Sequence, residues 1–228
     1  MAAIDRFFLR ATVTEVAPLN DRMRAIRLTG DPLRGLAWRP GQHVRVNVTP
    51  PGRWLRNPGD ARRTYSIWDL DPASGVLDLA VLDHGDGPGS VWVRTARPGD
   101  SVTLSKPEGR LVLRDTGPHV FAGDETAAVP FAAMLRALPD DAAVAGVLEA
   151  SGPAGEVPLP RKLTWVHNGQ LLDRIRDLDL PADKGTVYIA GEARTCQAIR
   201  QHFLRDRRWP RGAIVVKPFW TPGRRGMD

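Results

Sequence analysis

Apolar and polar residues alternate in short runs through the first half of the chain. Phe7 to Val16, Met23 to Leu28, His43 to Val48, Thr64 to Trp68, Val76 to Leu82, Ser101 to Leu104 and Leu111 to Leu113 all read as strand-like segments. Turn formers separate them: Asn20-Asp21, Thr29-Gly30-Asp31-Pro32, Arg39-Pro40-Gly41, Pro50-Pro51-Gly52, Asp71-Pro72-Ala73-Ser74-Gly75 and Arg97-Pro98-Gly99-Asp100. Many short strands at regular spacing predict a small antiparallel barrel. One helix interrupts it. Gly87-Pro88-Gly89-Ser90 leads into the apolar segment Val91 to Ala96, with Ser90 expected as the N-cap.

After Thr116-Gly117-Pro118 the period changes. Strands are expected at His119 to Ala122, Ala143 to Glu149, Leu163 to Val166, Thr186 to Ala190 and Ala213 to Val216. Helices are expected at Thr126 to Leu138, Gln170 to Leu178 and Glu192 to Asp206. Strands alternating with helices imply a parallel sheet. The expectation is an α+β chain of two domains: a β-barrel over residues 1–116, then an α/β domain with a C-terminal tail over residues 117–228.

Composition narrows the partners. The 32 basic and 26 acidic residues leave a net charge of +6, which favours a nucleotide or an acidic small molecule. There is no basic block of the kind that forms a nucleic-acid arm, so no nucleic-acid partner is expected. A single cysteine, Cys196, excludes an internal disulfide and an iron–sulfur cluster held by four thiolates. The five histidines show no metal-ligand spacing, and no Gly-x-Ser-x-Gly elbow is present. Met1 to Arg10 lacks a long apolar core, and no apolar run approaches the roughly 18 residues of a membrane span. The expected location is cytoplasmic, without stable membrane insertion.

Arg63-Thr64-Tyr65-Ser66 carries the first candidate chemistry. In a strand, Arg63 and Tyr65 share one face while Thr64 and Ser66 share the other. A guanidinium grips phosphate, a tyrosine offers a flat ring with a polar tip, and a serine bonds heteroatoms. Together they suit a flavin nucleotide, or else form an ordinary amphipathic strand. A helix start preceded by small residues, as at Gly87 to Ser90, suits a phosphate or is simply a turn.

The order of three motifs resembles the ferredoxin-reductase-like flavoproteins, and among them the siderophore-interacting proteins, FAD-dependent ferric-siderophore reductases. The motifs are Arg63 to Ser66; Val81 to Gly85 with Gly87 to Trp92; and Ala122-Gly123-Asp124-Glu125-Thr126-Ala127, echoed by Ala190-Gly191-Glu192-Ala193 and the tail Lys217-Pro218-Phe219-Trp220. The resemblance implies a Greek-key barrel followed by an α/β domain, and FAD as cofactor. It implies that Arg63 meets the FAD phosphate, Tyr65 packs on the flavin or ribityl chain, and Ser66 bonds the flavin edge. Leu82, Asp83 and His84 would offer backbone groups to the pyrimidine ring. Gly89, Ser90 and Val91 would receive the pyrophosphate.

In dinucleotide-binding relatives a glycine-rich turn follows the first strand of the second domain. Here that turn, Gly123-Asp124-Glu125-Thr126, carries two carboxylates, which repel a pyrophosphate. Asp124 and Thr126 are cofactor-binding candidates: Asp124 or Glu125 caps the next helix while Thr126 hydrogen-bonds an adenine or ribose group, or the acids only cap the helix. Arg194 and Arg200 either compensate that charge or are solvated. Phe219 or Trp220 either lies near the isoalloxazine or anchors the terminus. Lys217 and Arg224 would face an anionic ferric siderophore, with Arg53, Arg56, Arg62 and Arg225 as further basic candidates. The electron donor would be NAD(P)H or reduced ferredoxin. The alternatives are a general NAD(P)H:flavin or quinone reductase and a siderophore-binding protein without turnover.

Overall fold

The structure, a computed structural model, describes residues 8–49, 62–114, 117–180 and 184–223. The chain divides into two compact units, one ending at Arg110 and the next beginning at Leu111.

In the first unit, β1 (Leu9–Pro18), β2 (Met23–Thr29), β3 (His43–Asn47), β4 (Arg62–Asp71), β5 (Val76–Leu82), helix α1 (Pro88–Thr95) and β6 (Ser101–Leu104) follow in order. The strands close antiparallel in the order β1-β2-β5-β4-β3-β6, a Greek-key barrel with no free edge among the described strands. Its core takes the inward residues of each strand, such as Val13, Ile26, Leu28, Val44, Val46, Ile67, Leu77 and Leu79, together with Trp92 and Val93 of α1. Fully burying each of the larger of these side chains stabilises the fold by about 1.5–3 kcal/mol. Closure bends the strands at bulges between Val13 and Glu15 and between Ile67 and Asp69. The second bulge follows directly after the Arg63–Ser66 stretch.

No strand forms at Leu111–Leu113. The next N–H, that of Arg114, donates to the Tyr188 hydroxyl at 2.9 Å instead of joining a ladder.

The second unit alternates β7 (His119–Asp124), α2 (Ala128–Ala137), β8 (Val144–Glu149), β9 (Thr164–Val166), α3 (Leu171–Arg176), β10 (Thr186–Glu192), α4 (Ala193–Gln201) and β11 (Ile214–Trp220). Its sheet is parallel, in the order β11-β10-β7-β8-β9. β7 and β10 are central and nearly continuous in apolar residues, as strands covered on both faces must be. α4 widens at its end into a π-helical turn, His202–Asp206. β11 runs on through Lys217 to Trp220, so the expected tail is part of the last strand. Pro218 is tolerated because β11 is the edge strand, where a missing N–H faces no second neighbour.

Candidate functional site

β4 places Arg63 opposite Val46 and Tyr65 opposite Val44, while Ser66 faces His43 and Thr64 faces Arg45. Directly paired residues share a face. Val44 and Val46 are fully buried, so Arg63 and Tyr65 lie on the inner face and Ser66 on the outer. The Tyr65 ring stacks on Trp92, with centroids 5.5 Å apart and planes at 28°. Trp92 is therefore a core residue that supports Tyr65.

The Tyr65 hydroxyl oxygen is buried and has no hydrogen-bond partner among the described residues. Burial pushes its ionisation well above the ordinary value of 10.0, against the opposing pull of the Arg63 charge. Beside it lies Gly89 of α1. A Cβ there would fall 2.7 Å from the Tyr65 hydroxyl and 3.4 Å from Arg63 Cγ. Gly89 thus lets Tyr65 and Arg63 close on the helix start, where any side chain would strike the hydroxyl.

Helix α1 begins at Pro88 with Gly87 as N-cap, three residues before the expected start. A proline is preorganised for the first helical position and has no N–H to lose there. Ser90 is consequently not the cap. It sits inside the first turn, buried, and its hydroxyl donates to His84 O at 2.5 Å and accepts from His84 N at 3.2 Å. No side chain caps this helix start, and the N–H groups of Gly89 and Ser90 have no intrahelical carbonyl to meet. They present donors and a positive dipole end to an anion. Val91, on the same turn, is 48% exposed.

Leu82 ends β5, paired with Met23. The Asp83 N–H donates to Arg22 O at 2.7 Å. The Asp83 carboxylate accepts from Arg94 Nε at 2.9 and 3.1 Å. These contacts make Asp83 and His84 anchors of the loop between β5 and α1. A dinucleotide phosphate needs a guanidinium, a hydroxyl donor and backbone N–H groups around a space free of side chain. The residues present therefore fit FAD.

The second unit places the other candidates at the C-terminal ends of its strands. Asp124 Oδ1 accepts from Thr126 N at 2.9 Å and from the Thr126 hydroxyl at 2.5 Å. Its Oδ2 accepts from Glu192 N at 2.9 Å and from Trp220 Nε1 at 2.8 Å. One carboxylate thus ties together the ends of β7, β10 and β11. Gly191, at φ +120°, lies directly over it; a Cβ there would come within 2.5 Å of Asp124 Oδ2. Gly123 is small for a related reason, since a Cβ would strike Ala190 O at 2.2 Å. Neither glycine clears space for a phosphate.

Neither acid caps α2 with its side chain; Ala127 is the N-cap. Glu125 is buried against Gly155. The acid that does cap a helix is Glu192, whose carboxylate accepts from Thr195 N at 2.7 Å at the start of α4. Desolvation opposes its ionisation, but N–H bonds from Arg194 and Thr195 and the Thr195 hydroxyl outweigh it and hold the carboxyl below its usual range. Cys196 is buried beside Asp124 and Glu192, and its thiol is pushed up to about 12, first by desolvation and then by those charges. That makes it inert rather than nucleophilic.

Lys217 and Phe219 are half-buried on β11, and Trp220 is 41% exposed. Arg62 is exposed at the start of β4. Arg53, Arg56, Arg224 and Arg225 lie outside the described residues. Among the described residues no group of three potential metal ligands is found, and no helix is long and apolar enough to cross a membrane.

A closed antiparallel barrel followed by a parallel-sheet unit is the ferredoxin-reductase-like fold. A solved ferredoxin reductase of carbazole 1,9a-dioxygenase superposes with a TM-score of 0.74 at 20% identity, covering 93% of this chain and 69% of that one. Family models sharpen the class. Residues 12–111 match the siderophore-interacting FAD-binding domain, and residues 116–223 match the siderophore-interacting protein model. The chain belongs to the siderophore-interacting protein family, and its first unit is an FAD-binding domain.

The solved siderophore utilization protein of T. fusca is 27% identical, with a TM-score of 0.84 over 97% of this chain and 95% of that one. The NADPH-dependent ferric-chelate reductase of Escherichia coli is 25% identical over 95% of this chain and 94% of its own length. An uncharacterised protein of Mycobacterium tuberculosis is 26% identical over 71% of this chain, a match that spans 65% of that protein's length.

Proposed function

We propose that this protein is an FAD-dependent oxidoreductase that reduces Fe(III)-siderophore complexes in the cytoplasm and releases Fe(II). The observation that carries the reading is the partnerless Tyr65 hydroxyl in the cradle formed with Arg63 and Gly89. The likeness to the ferric-chelate reductase over nearly the whole chain supports the substrate class. Siderophores hold iron through hard oxygen donors that suit Fe(III) far better than Fe(II), so one added electron loosens the metal. Bound FAD supplies the conversion between a two-electron donor and one-electron iron.

The chain's own residues then have three tasks. Arg63 and the start of α1 hold the phosphates, and Tyr65 meets the flavin or ribityl chain beside them. Trp92 of α1 backs the Tyr65 ring and so fixes the cradle. Lys217, with Arg224, attracts an anionic chelate. Electrons come from NAD(P)H or reduced ferredoxin. A dinucleotide donor would not lay its pyrophosphate in the turn after β7, where Asp124 already engages the local donors.

The test is anaerobic. FAD-loaded protein is reduced with dithionite, desalted, and mixed with a ferric siderophore and an Fe(II)-trapping dye. Return of the oxidised flavin absorption with roughly two trapped Fe(II) per flavin is the expected outcome, since iron takes one electron and flavin holds two. Flavin absorption that stays bleached, with no trapped iron, sinks the proposal.

A further inference from the structure

The connection from β5 to α1 is only five residues, Asp83 to Gly87, yet one arginine reaches most of it. Arg94, in the last turn of α1, donates from Nε to both oxygens of Asp83 at 2.9 and 3.1 Å. Its Nη2 donates to Gly85 O, and its Nη1 lies 3.6 Å from Asp86 Oδ1. One turn earlier on the same face of the helix, Ser90 holds the backbone N–H and carbonyl of His84. Gly85 makes the bend between these grips at φ +64°. The end of β5, the loop and the helix start are thereby tied into one piece.

We propose that Arg94 is a positioning residue for FAD: it sets the distance between the end of β5 and the anion-binding start of α1 without touching the cofactor. This rests on the reading of the Arg63–Tyr65–Gly89 cradle as the FAD phosphate site.

Its contribution is geometric. The pair is partly solvated, with the Arg94 side chain 41% exposed and Asp83 26%, and such an ion pair adds little to global stability. What it supplies is a fixed fork. A planar guanidinium reaches a carboxylate and a carbonyl at once in a set geometry, which an ammonium cannot reproduce. The loop it holds has no apolar anchor of its own between Leu82 and Val91. Without the fork, the loop would retain the Ser90 grip, the Asp83–Arg22 backbone bond and the Val91 N–H on Gly87 O, none of which holds Gly85 or Asp86. The N–H groups of Gly89 and Ser90 would then be presented to the phosphates in a spread of positions.

The experiment compares wild type, Arg94→Lys, Asp83→Asn and, as a helix-end control, Arg97→Lys. Arg97 donates to Arg94 O and Ala96 O and takes no part in the loop. Each apo protein is melted, titrated with FAD, and its bound flavin examined by visible circular dichroism. Arg94→Lys is expected to weaken FAD binding roughly tenfold and to alter the visible dichroism, with an unchanged apo melting temperature. Asp83→Asn, which spares the Arg94–Gly85 contact, should move the same readouts in the same direction, and Arg97→Lys should move neither. Wild-type affinity and dichroism in Arg94→Lys overturn the inference. So does a loss of affinity matched by a lower apo melting temperature while residual bound flavin keeps its dichroism, because that is the mark of a purely structural role. Should Arg94→Lys not fold, Asp83→Asn decides on the same criteria. Failure of wild type to bind FAD would instead overturn the reading on which the inference rests.

Discussion

A buried hydroxyl without a partner costs about 1–3 kcal/mol, so Tyr65 destabilises the barrel wherever nothing reaches its oxygen. That gives Tyr65→Phe two effects of opposite sign. The apo protein should gain stability, by up to about 1–3 kcal/mol in denaturant unfolding, because the unmet polar group is gone and the ring still stacks on Trp92. FAD affinity should fall roughly two- to tenfold, because a hydrogen bond worth about 0.5–1.5 kcal/mol is lost. A variant that loses stability and keeps its affinity would show that the hydroxyl faces no ligand. Arg63→Ala should cost more, roughly tenfold to hundredfold in affinity, as expected for a charge-assisted phosphate bond. The shared face of Arg63 and Tyr65 was legible in the sequence, since a strand alternates strictly. The partnerless oxygen was not, because it depends on Gly89 arriving from another element.

At the scale of elements, the punctuation of turns placed the barrel strands well, and the misplaced ends have physical causes. Gly87-Pro88 read as a turn, although the same proline at the first helical position starts α1. The last strand is expected to end at Val216, but β11 runs on to Trp220, because an edge strand tolerates Pro218. The knot at Asp124 was out of reach, because its partners lie 68 and 96 residues away in sequence. That knot has a measurable worth. Trp220→Phe keeps an aromatic ring, though a smaller one, and removes one donor, so it should cost about 0.5–1.5 kcal/mol in denaturant unfolding. Asp124→Asn forces an amide N–H against donors that the carboxylate accepted, and should cost more, about 1.5–3 kcal/mol. If Asp124→Asn is as stable as wild type, the carboxylate does not hold the strand ends. The Arg94 strap is hidden in the sequence for the same reason as the knot: Arg94 is one arginine among many, and only the fold brings Asp83 and Gly85 to it.

For the whole molecule, charge is the property that the sequence stated directly and that the fold does not alter. An excess of +6 raises the local concentration of anions around the protein, and the effect reaches only about 10 Å at 0.1 M salt. If the substrate is a ferric siderophore, its charge must therefore matter to the rate of encounter. The expected result is that kcat/KM for an anionic ferric catecholate falls steeply as salt is added, while that for a neutral ferric hydroxamate stays nearly level. Lys217→Ala should flatten the first dependence, because Lys217 stands on the edge strand β11 opposite Ala190, and should leave the second alone. The neutral chelate is the control that makes the result interpretable, since salt effects on folding or on FAD binding would move both substrates together. Equal salt slopes for the two chelates would mean that the positive charge steers nothing, and Lys217 would then be an ordinary solvated lysine on an edge strand.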